Sequence, residues 1–213
     1  MGKTKLLDRF INDRFVPDAS ATIGAAFSAH EMQVTDKSGN ISNVTLALWD
    51  TGGSERFEAM ARSYYKGAAA AIVCFDVTDL SSWNRAKAWV AEVQESEGPN
   101  CTIALVATKM DLIERNERTR AVAQAAAQRY AASVDVRYFE TSAKLGDKIQ
   151  IGNKISEPFT YVATEAWARI SQQQRQQAAN LAPIVRLDQP QPQTRYPSTT
   201  PAANGSGRGP CCN

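Results

Sequence analysis

The hydrophobic positions of this chain recur at two spacings, and segments of the two kinds alternate along it. Residues 4–12 place Leu6, Leu7, Phe10 and Ile11 on one face, which predicts an amphipathic helix. Helices are also predicted in four later segments: residues 55–65, 81–97, 120–132 and 157–171.

Shorter apolar or alternating runs predict the strands. Residues 32–35 and 43–49 flank a Lys-Ser-Gly-Asn turn, so they predict a hairpin. Residues 69–77 and 101–107 are nearly continuous apolar runs typical of buried strands, and residues 135–140 predict one more strand. Because strands alternate with helices, we expect an α/β fold with a mostly parallel, doubly wound sheet.

Composition narrows the class of protein. Of the 213 residues, 43% are hydrophobic and 22% are charged, close to the average of globular domains. The formal net charge is only +2, which argues against a nucleic-acid-binding surface built on bulk positive charge. A single histidine, His30, excludes a zinc site with several histidine ligands.

Composition also divides the chain. Residues 176–213 are dominated by Gln, Pro, Thr, Ala, Asn and Gly, and such a segment cannot bury enough apolar surface to offset its ordering entropy. We therefore predict a folded domain, residues 1–175, and a flexible tail, residues 176–213. The tail carries two adjacent cysteines, Cys211 and Cys212, one residue before its last.

The first cluster with candidate chemistry is Gly2-Lys3-Thr4, where a predicted helix opens. It matches the last three residues of the phosphate-binding pattern G-x-x-x-x-G-K-[ST]. In that role Gly2 lets the backbone approach a phosphate, Lys3 bridges the β- and γ-phosphates, and Thr4 offers its hydroxyl to Mg²⁺. Alone, the tripeptide is equally compatible with an arbitrary helix start.

The second cluster follows the strand predicted at residues 43–49. Asp50 at a strand end can hold Mg²⁺, as a Walker-B aspartate does, and Gly53 can offer its backbone N–H to a γ-phosphate without steric hindrance. The alternative is a polar strand-to-helix turn in which Ser54 caps the helix.

The third and fourth clusters follow the strands predicted at residues 101–107 and 135–140. In Thr108-Lys109-Met110-Asp111 the carboxylate can accept two hydrogens from a guanine edge, and the Lys109 stem can lie against the base. In Glu140-Thr141-Ser142-Ala143-Lys144 the backbone N–H groups can reach the guanine O6. Each cluster alone is also compatible with an ordinary polar loop.

In this order and at these strand ends, the clusters resemble those of the Ras superfamily of small GTPases, specifically the Rab family. The resemblance covers residues 2–169 and the terminus, including Thr22-Ile23-Gly24-Ala25-Ala26-Phe27, Trp49-Asp50-Thr51 and Tyr64-Tyr65-Lys66-Gly67-Ala68. The Ile-Gly-Ala-Ala-Phe run is similar to the endosomal branch of Rab proteins. The resemblance implies a P-loop NTPase three-layer sandwich and GTP/GDP with Mg²⁺ as cofactors.

The resemblance also implies a role for each matched residue. The nucleotide-binding set it implies is Gly2, Lys3, Thr4, Thr22, Asp50, Gly53, Thr108, Lys109, Asp111, Ser142, Ala143 and Lys144. Of these, Thr4, Thr22 and Asp50 would hold the metal. Loss of the γ-phosphate would release two switch segments, about residues 14–27 and 50–66. Phe27, Trp49 and Tyr64 match the aromatic trio of the family's effector surface, with core packing as the alternative.

The implied partners are Rab effectors, an exchange factor, a GTPase-activating protein, Rab escort protein and geranylgeranyl transferase. Cys211 and Cys212 resemble endings that receive two geranylgeranyl groups, and two lipid chains hold a protein stably where one does so only marginally. This implies a place on the cytoplasmic face of endomembranes, of endosomal type, in exchange with the cytosol. An unmodified, flexible end is the alternative.

Three substitutions depart from the family pattern. Ser54 stands where the family has the glutamine that orients the attacking water, so we expect a weak GTPase with slow hydrolysis. Thr108 replaces the usual asparagine, which should weaken the hold on guanine. Gly52 replaces the usual alanine, which should loosen the second switch.

The largest departure is at the front, where neither the family's central strand nor the first part of its phosphate loop precedes Gly2. We therefore expect a sheet that lacks its first central strand, in a sequence that begins inside the domain. Each backbone group left unpaired in the core costs about 1–3 kcal/mol. The alternative function is thus a degenerate, nucleotide-free module that binds effectors. A P-loop kinase or other ATPase is disfavoured, because Asp111 and the fourth cluster point to guanine.

Overall fold

The structure, a computed structural model, describes residues 1–17, 22–36, 38–53 and 64–181. The described helices are α1 (Lys3–Asn12), α2 (Leu80–Glu97), α3 (Met110–Glu114), α4 (Gln124–Ser133) and α5 (Ser156–Leu181). The described strands are β1 (Ala25–Thr35), β2 (Ile41–Thr51), β3 (Ala70–Asp76), β4 (Thr102–Thr108) and β5 (Arg137–Glu140). Two short 3₁₀ turns, Gly98–Asn100 and Gly146–Lys148, complete the set.

The chain divides into two units, residues 1–175 and residues 176–213. The first contains all the described strands and all the candidate site residues that the structure describes. The last helix is longer than the predicted residues 157–171, because α5 continues through Leu181. Glutamine, arginine and alanine are good helix formers, which explains the longer helix. Cys211 and Cys212 lie outside the described residues.

The predicted hairpin is present and longer than expected. β1 and β2 pair antiparallel from Ala25 opposite Thr51 to Thr35 opposite Ile41. At the turn, the Asp36 carboxylate accepts hydrogen bonds from the backbone N–H groups of Ser38 and Asn40 at 2.8 and 2.9 Å. The first part of β1 was not predicted as a strand. Much of it is exposed, so its sequence lacks the apolar alternation of a half-buried strand.

The other three strands form a parallel sheet in the order β3-β4-β5. Helices cover both of its faces, as predicted for a doubly wound fold. One face packs Phe75 and Leu105 in a cluster with α2 and α4, and the other packs Val106 and Phe139 with α1 and α5. The rings of Phe10 in α1 and Phe159 in α5 stack with centroids 3.9 Å apart, so the two helices meet beside the sheet.

The sheet is interrupted between β2 and β3. Among the described residues these strands form no ladder with each other, and a cavity of about 640 Å³ lies between their facing edges. Apolar side chains of the α1–α5 layer, among them Leu6, Phe159 and Val162, line this cavity. The prediction of an α/β fold with a parallel sheet between helices is confirmed, and within the described residues no strand lies between β2 and β3, as expected.

Two further helices differ from prediction. α4 begins at Gln124 rather than at residue 120, because the N–H groups of Ala121 and Val122 both donate to the Val77 carbonyl at the end of β3. α3 was not predicted, since five residues are too few for a periodic pattern. Within the described part of the chain, no helix combines the length and apolar character of a membrane span.

Candidate nucleotide-binding site

The start of α1 has the geometry of an anion site. Gly2 adopts φ 97°, a left-handed conformation that glycine reaches without strain, and helix α1 begins at the next residue. No side chain caps this end, and its first turn carries no acidic residue. The Lys3 Nζ lies 3.5 Å from the position that a Cβ on Gly53 would take, so Lys3 and Gly53 come together as predicted. Free helix N–H groups and an ammonium thus face the same space, which favours a phosphate.

The three predicted metal ligands contact one another, because Thr4 and Thr22 both bind the same carboxylate oxygen of Asp50. The Thr4 Oγ1 donates to Asp50 Oδ2 at 2.6 Å, and the Thr22 Oγ1 donates to the same atom at 3.2 Å. The two hydroxyls are 2.7 Å apart. Among the described residues no group of three or more His, Cys, Asp or Glu side chains is placed to hold a metal. A site with two hydroxyls and one carboxylate fits Mg²⁺, which prefers oxygen ligands and takes the rest from water and phosphate.

Asp111 is held in place by the fourth cluster. It is buried at the start of α3, and the Ser142 Oγ donates to its Oδ1 at 2.6 Å. The Lys144 ammonium lies 3.9 Å from its other oxygen. Ser142 follows β5 and Asp111 follows β4, and these two strands are neighbours in the sheet. The structure therefore brings the third and fourth predicted clusters into direct contact.

Lys109 contacts a residue that the sequence did not single out. Its backbone is left-handed, with φ 64°, and its Nζ lies 2.7 Å from Asp76 Oδ2 at the end of β3. Burial alone would raise the pKa of Asp76, but hydrogen bonds from Lys109 and Thr78 hold that pKa below its ordinary value. The Asp76 carboxylate is therefore charged, and it fixes the Lys109 ammonium at the carboxyl end of β3.

Thr108 has a structural contact rather than an open side chain. The residue is buried, and its hydroxyl lies 2.9 Å from the Phe75 carbonyl and 2.6 Å from the Met1 carbonyl, where one proton serves one acceptor at a time. It joins the carboxyl ends of β3 and β4 to the chain that leads into α1. The Thr108 hydroxyl thus connects the third predicted cluster to the residue that precedes the first.

Two arginines that the sequence analysis missed support the fourth cluster. Arg120 donates from both terminal nitrogens to the buried Glu140 carboxylate, at 2.6 and 3.0 Å. Arg9 in α1 donates to the backbone carbonyls of Ala143 and Lys144 at 2.7 and 3.3 Å. These partners are 20, 134 and 135 positions apart in sequence, so no local pattern could have shown them.

The aromatic trio forms a surface cluster. The Phe27 and Trp49 rings have centroids 5.1 Å apart, and the Trp49 and Tyr64 rings 5.2 Å apart. Phe27 is 57% exposed and Trp49 is 51% exposed, so core packing does not account for these two residues. Ser54, the residue at the family's glutamine position, lies outside the described residues, as does most of the second switch.

The class of protein follows from comparison with known families. Residues 1–166 match the Ras family, and the chain belongs to that family.

Its particular relatives are Rab proteins. The chain is 42% identical to the Ras-related protein RABF2b of Arabidopsis thaliana over 149 residues, which are 70% of each chain. It is 41% identical to the Ras-related protein Rab5A of Oryza sativa subsp. japonica over 143 residues, 67% of this chain and 66% of the relative. It is 39% identical to the Ras-related protein Rab-5A of Dictyostelium discoideum over 149 residues, 70% of each chain. The prediction of a Rab-type small GTPase of the endosomal branch is confirmed.

Proposed function

We propose that this chain is a GTP-binding switch of Rab type that regulates vesicle and endosomal membrane traffic. The observation that supports the proposal best is one convergence of side chains at the carboxyl edge of the sheet. Lys3, Thr4 and Asp50 form its phosphate and metal side, and Asp111 with Ser142 forms its base side.

The base side accounts for a choice of guanine. The Asp111 carboxylate can accept hydrogens from both N1 and the 2-amino group of guanine, whereas adenine has no such pair of donors. Ser142 occupies one oxygen of Asp111 and so limits the rotation of the carboxylate. With adenine bound, the buried Asp111 carboxylate would lose these hydrogen-bond donors, and an unpaired buried acceptor costs free energy. Adenine is therefore bound more weakly than guanine.

The phosphate side accounts for a switch. Thr4, Thr22 and Asp50 would hold Mg²⁺. The bound ion would supply positive charge to the β- and γ-phosphate oxygens. Thr22 belongs to the first switch and Gly53 to the second, so both segments have contacts that depend on the γ-phosphate. Differential contact with GTP and GDP is what a two-state switch requires.

Nucleotide binding is tested with the purified full chain by calorimetry with GDP, GTP and ADP in the presence of Mg²⁺. We expect binding of both guanine nucleotides and not of ADP. Asp111→Asn should weaken GDP binding by about tenfold or more, since a charged hydrogen-bond acceptor is lost. Glu95→Gln, the same chemical change on the exposed surface of α2, is the matched control and should bind as the original chain does. Equal binding of ADP and GDP contradicts the proposal.

Hydrolysis should be weak, because a serine hydroxyl cannot reach as far as the glutamine amide that orients water in the family. Ser54→Gln should raise the single-turnover rate of GTP hydrolysis, and Ser54→Ala should leave it unchanged. Release of inorganic phosphate measures both. A rate for Ser54→Gln no higher than that of the original chain would refute this part of the proposal.

A second candidate is a nucleotide-free module that binds effectors. The interrupted sheet favours it, since the facing edges of β2 and β3 make no ladder with each other. The aromatic cluster of Phe27, Trp49 and Tyr64, in which Phe27 and Trp49 are more than half exposed, would offer such a module a surface for an effector. Absence of GDP from the purified chain, together with no heat of binding, would favour this candidate over the switch.

We further propose that Cys211 and Cys212 receive two geranylgeranyl groups through Rab escort protein and geranylgeranyl transferase. The support is the position of the pair at the end of a polar segment, together with the Rab relatives. The lipids would hold the chain on the cytoplasmic face of endosomal membranes. Effectors, an exchange factor and a GTPase-activating protein would act on it there, and no nucleic-acid partner is proposed.

A further inference from the structure

We infer that Arg9 is a positioning residue for base recognition, acting through the backbone of the loop at residues 142–146. This inference deepens the proposed function, since it concerns guanine binding at the same site. Arg9 lies in α1, the helix whose first turn forms the phosphate side. It thereby links the two halves of the site across the domain.

All three nitrogens of the Arg9 guanidinium donate hydrogen bonds. Its Nε donates to the Ala143 carbonyl at 2.7 Å, and one terminal nitrogen donates to the Lys144 carbonyl at 3.3 Å. The other terminal nitrogen donates to the Asp13 backbone carbonyl and carboxylate, at 2.8 and 2.9 Å. The Arg9 side chain is 17% exposed. A planar cation held at three places is a rigid support for two neighbouring peptide groups.

Holding these carbonyls fixes the N–H groups beyond them. In a planar trans peptide the N–H points opposite to the C=O. Because the Ala143 carbonyl faces Arg9, the Lys144 N–H points away from α1. The Lys144 carbonyl likewise orients the Leu145 N–H, which donates to the Ser142 Oγ at 3.2 Å. The Ser142 hydroxyl in turn donates to Asp111, so Arg9 is connected to the base-recognising carboxylate.

The loop also has donors to spare. Within the described part of the chain, the backbone N–H groups of Ala143 and Lys144 have no hydrogen-bond acceptor, whereas those of Thr141, Leu145 and Gly146 each have one. Gly146 adopts φ +60°, and a Cβ there would lie 3.4 Å from the Arg9 Cδ, so the loop closes against the arginine stem. The loop is therefore shaped to present free N–H donors to the 6-oxygen of a guanine base.

The test compares three diphosphates that differ only in the base. GDP carries the 6-oxygen, the N1 hydrogen and the 2-amino group. Inosine diphosphate lacks only the 2-amino group, and 2-aminopurine riboside diphosphate lacks the 6-oxygen together with the N1 hydrogen. In Arg9→Met we expect the preference for GDP over the 2-aminopurine compound to fall by about tenfold. The preference for GDP over inosine diphosphate should change less, because it reports on Asp111 itself. A purely structural role of Arg9 would weaken all three nucleotides equally.

Amide hydrogen exchange of the nucleotide-free chain gives a second readout. Residues 142–146 should exchange faster in Arg9→Met, while β3 and β4 keep their protection. Arg9→Lys retains the charge and the aliphatic stem but not the planar fork, so its exchange rate should lie between those of the original chain and Arg9→Met. This variant replaces Arg9→Met if the methionine variant does not fold. Asp13→Asn is the control, since its amide oxygen still accepts from Arg9.

The results separate the two levels of the proposal. Unchanged base preference and unchanged exchange in the Arg9 variants would overturn the inference. Failure of the original chain to bind GDP would overturn the proposed function, while the exchange measurement would still decide whether Arg9 holds the loop.

Discussion

The strongest energetic prediction concerns the ion pair between Arg120 and Glu140. The Glu140 side chain is 8% exposed and accepts two hydrogen bonds from Arg120, at 2.6 and 3.0 Å. The Tyr138 hydroxyl donates a third at 2.6 Å. Burial, followed by this hydrogen bond, raises the pKa of Tyr138, so the hydroxyl stays protonated and remains a donor. Glu140 is thus a buried carboxylate that accepts three hydrogen bonds from two partners.

Arg120→Met removes the cation and leaves the carboxylate buried. Breaking a buried pair from one side typically costs about 3–5 kcal/mol. Arg120 is 21% exposed, so water can reach part of the vacated space, and we expect the lower end, about 3 kcal/mol. That is a large share of the roughly 5–15 kcal/mol by which domains are stable. Tyr138→Phe should cost about 1 kcal/mol, the value of one hydrogen bond.

The double variant Arg120→Met/Glu140→Leu separates an unpaired charge from lost packing. It should be more stable than Arg120→Met alone, because no unpaired charge remains in the protein interior. The matched control is Arg115→Met, since Arg115 pairs with Glu117 at 3.8 Å and both side chains are nearly half exposed. Such a pair contributes at most about 1 kcal/mol.

Urea unfolding followed by tryptophan fluorescence measures these differences, with Trp83 in the core cluster as a reporter. Equal loss of unfolding free energy in Arg120→Met and Arg115→Met would refute the reasoning. A double variant less stable than the single one would do the same.

Three further predictions follow from burial and from the chain's end. Burial raises the pKa of the Cys74 thiol from 9.0 to about 12, so its contribution to stability is complete below pH 9 and is lost as the pH rises toward 12. In Cys74→Ala the free energy of unfolding should therefore fall less steeply between pH 9 and pH 12. The same dependence on pH in the variant and the original chain would contradict this. Leu6→Ala should cost less unfolding free energy than Leu105→Ala, within the range of about 2–5 kcal/mol for such changes, because Leu6 borders the existing cavity while Leu105 is packed on all sides. Cys211→Ser with Cys212→Ser should move the protein entirely from membranes to cytosol in cell fractionation, and persistent membrane association would exclude the lipid anchor.

Local patterns determined most of the secondary structure. The helix at residues 81–97, the buried strand at residues 101–107 and the order of elements follow from periodicity, which each segment carries in its own residues. The four clusters were also visible, because phosphate- and base-binding loops need particular residue types at short spacings.

Only the tertiary structure decided which distant groups meet. The sequence placed Arg120 in a helix, whereas the hydrogen bonds of the next two residues to Val77 hold that segment in a loop, where the side chain reaches Glu140. The hydrogen bond from Thr4 to Asp50 depends on how α1 packs beside the sheet, and so does the hydrogen bond from Arg9 to the Ala143 carbonyl. Contacts between residues tens of positions apart leave no periodic trace in a single chain, because their geometry arises only when the layers pack.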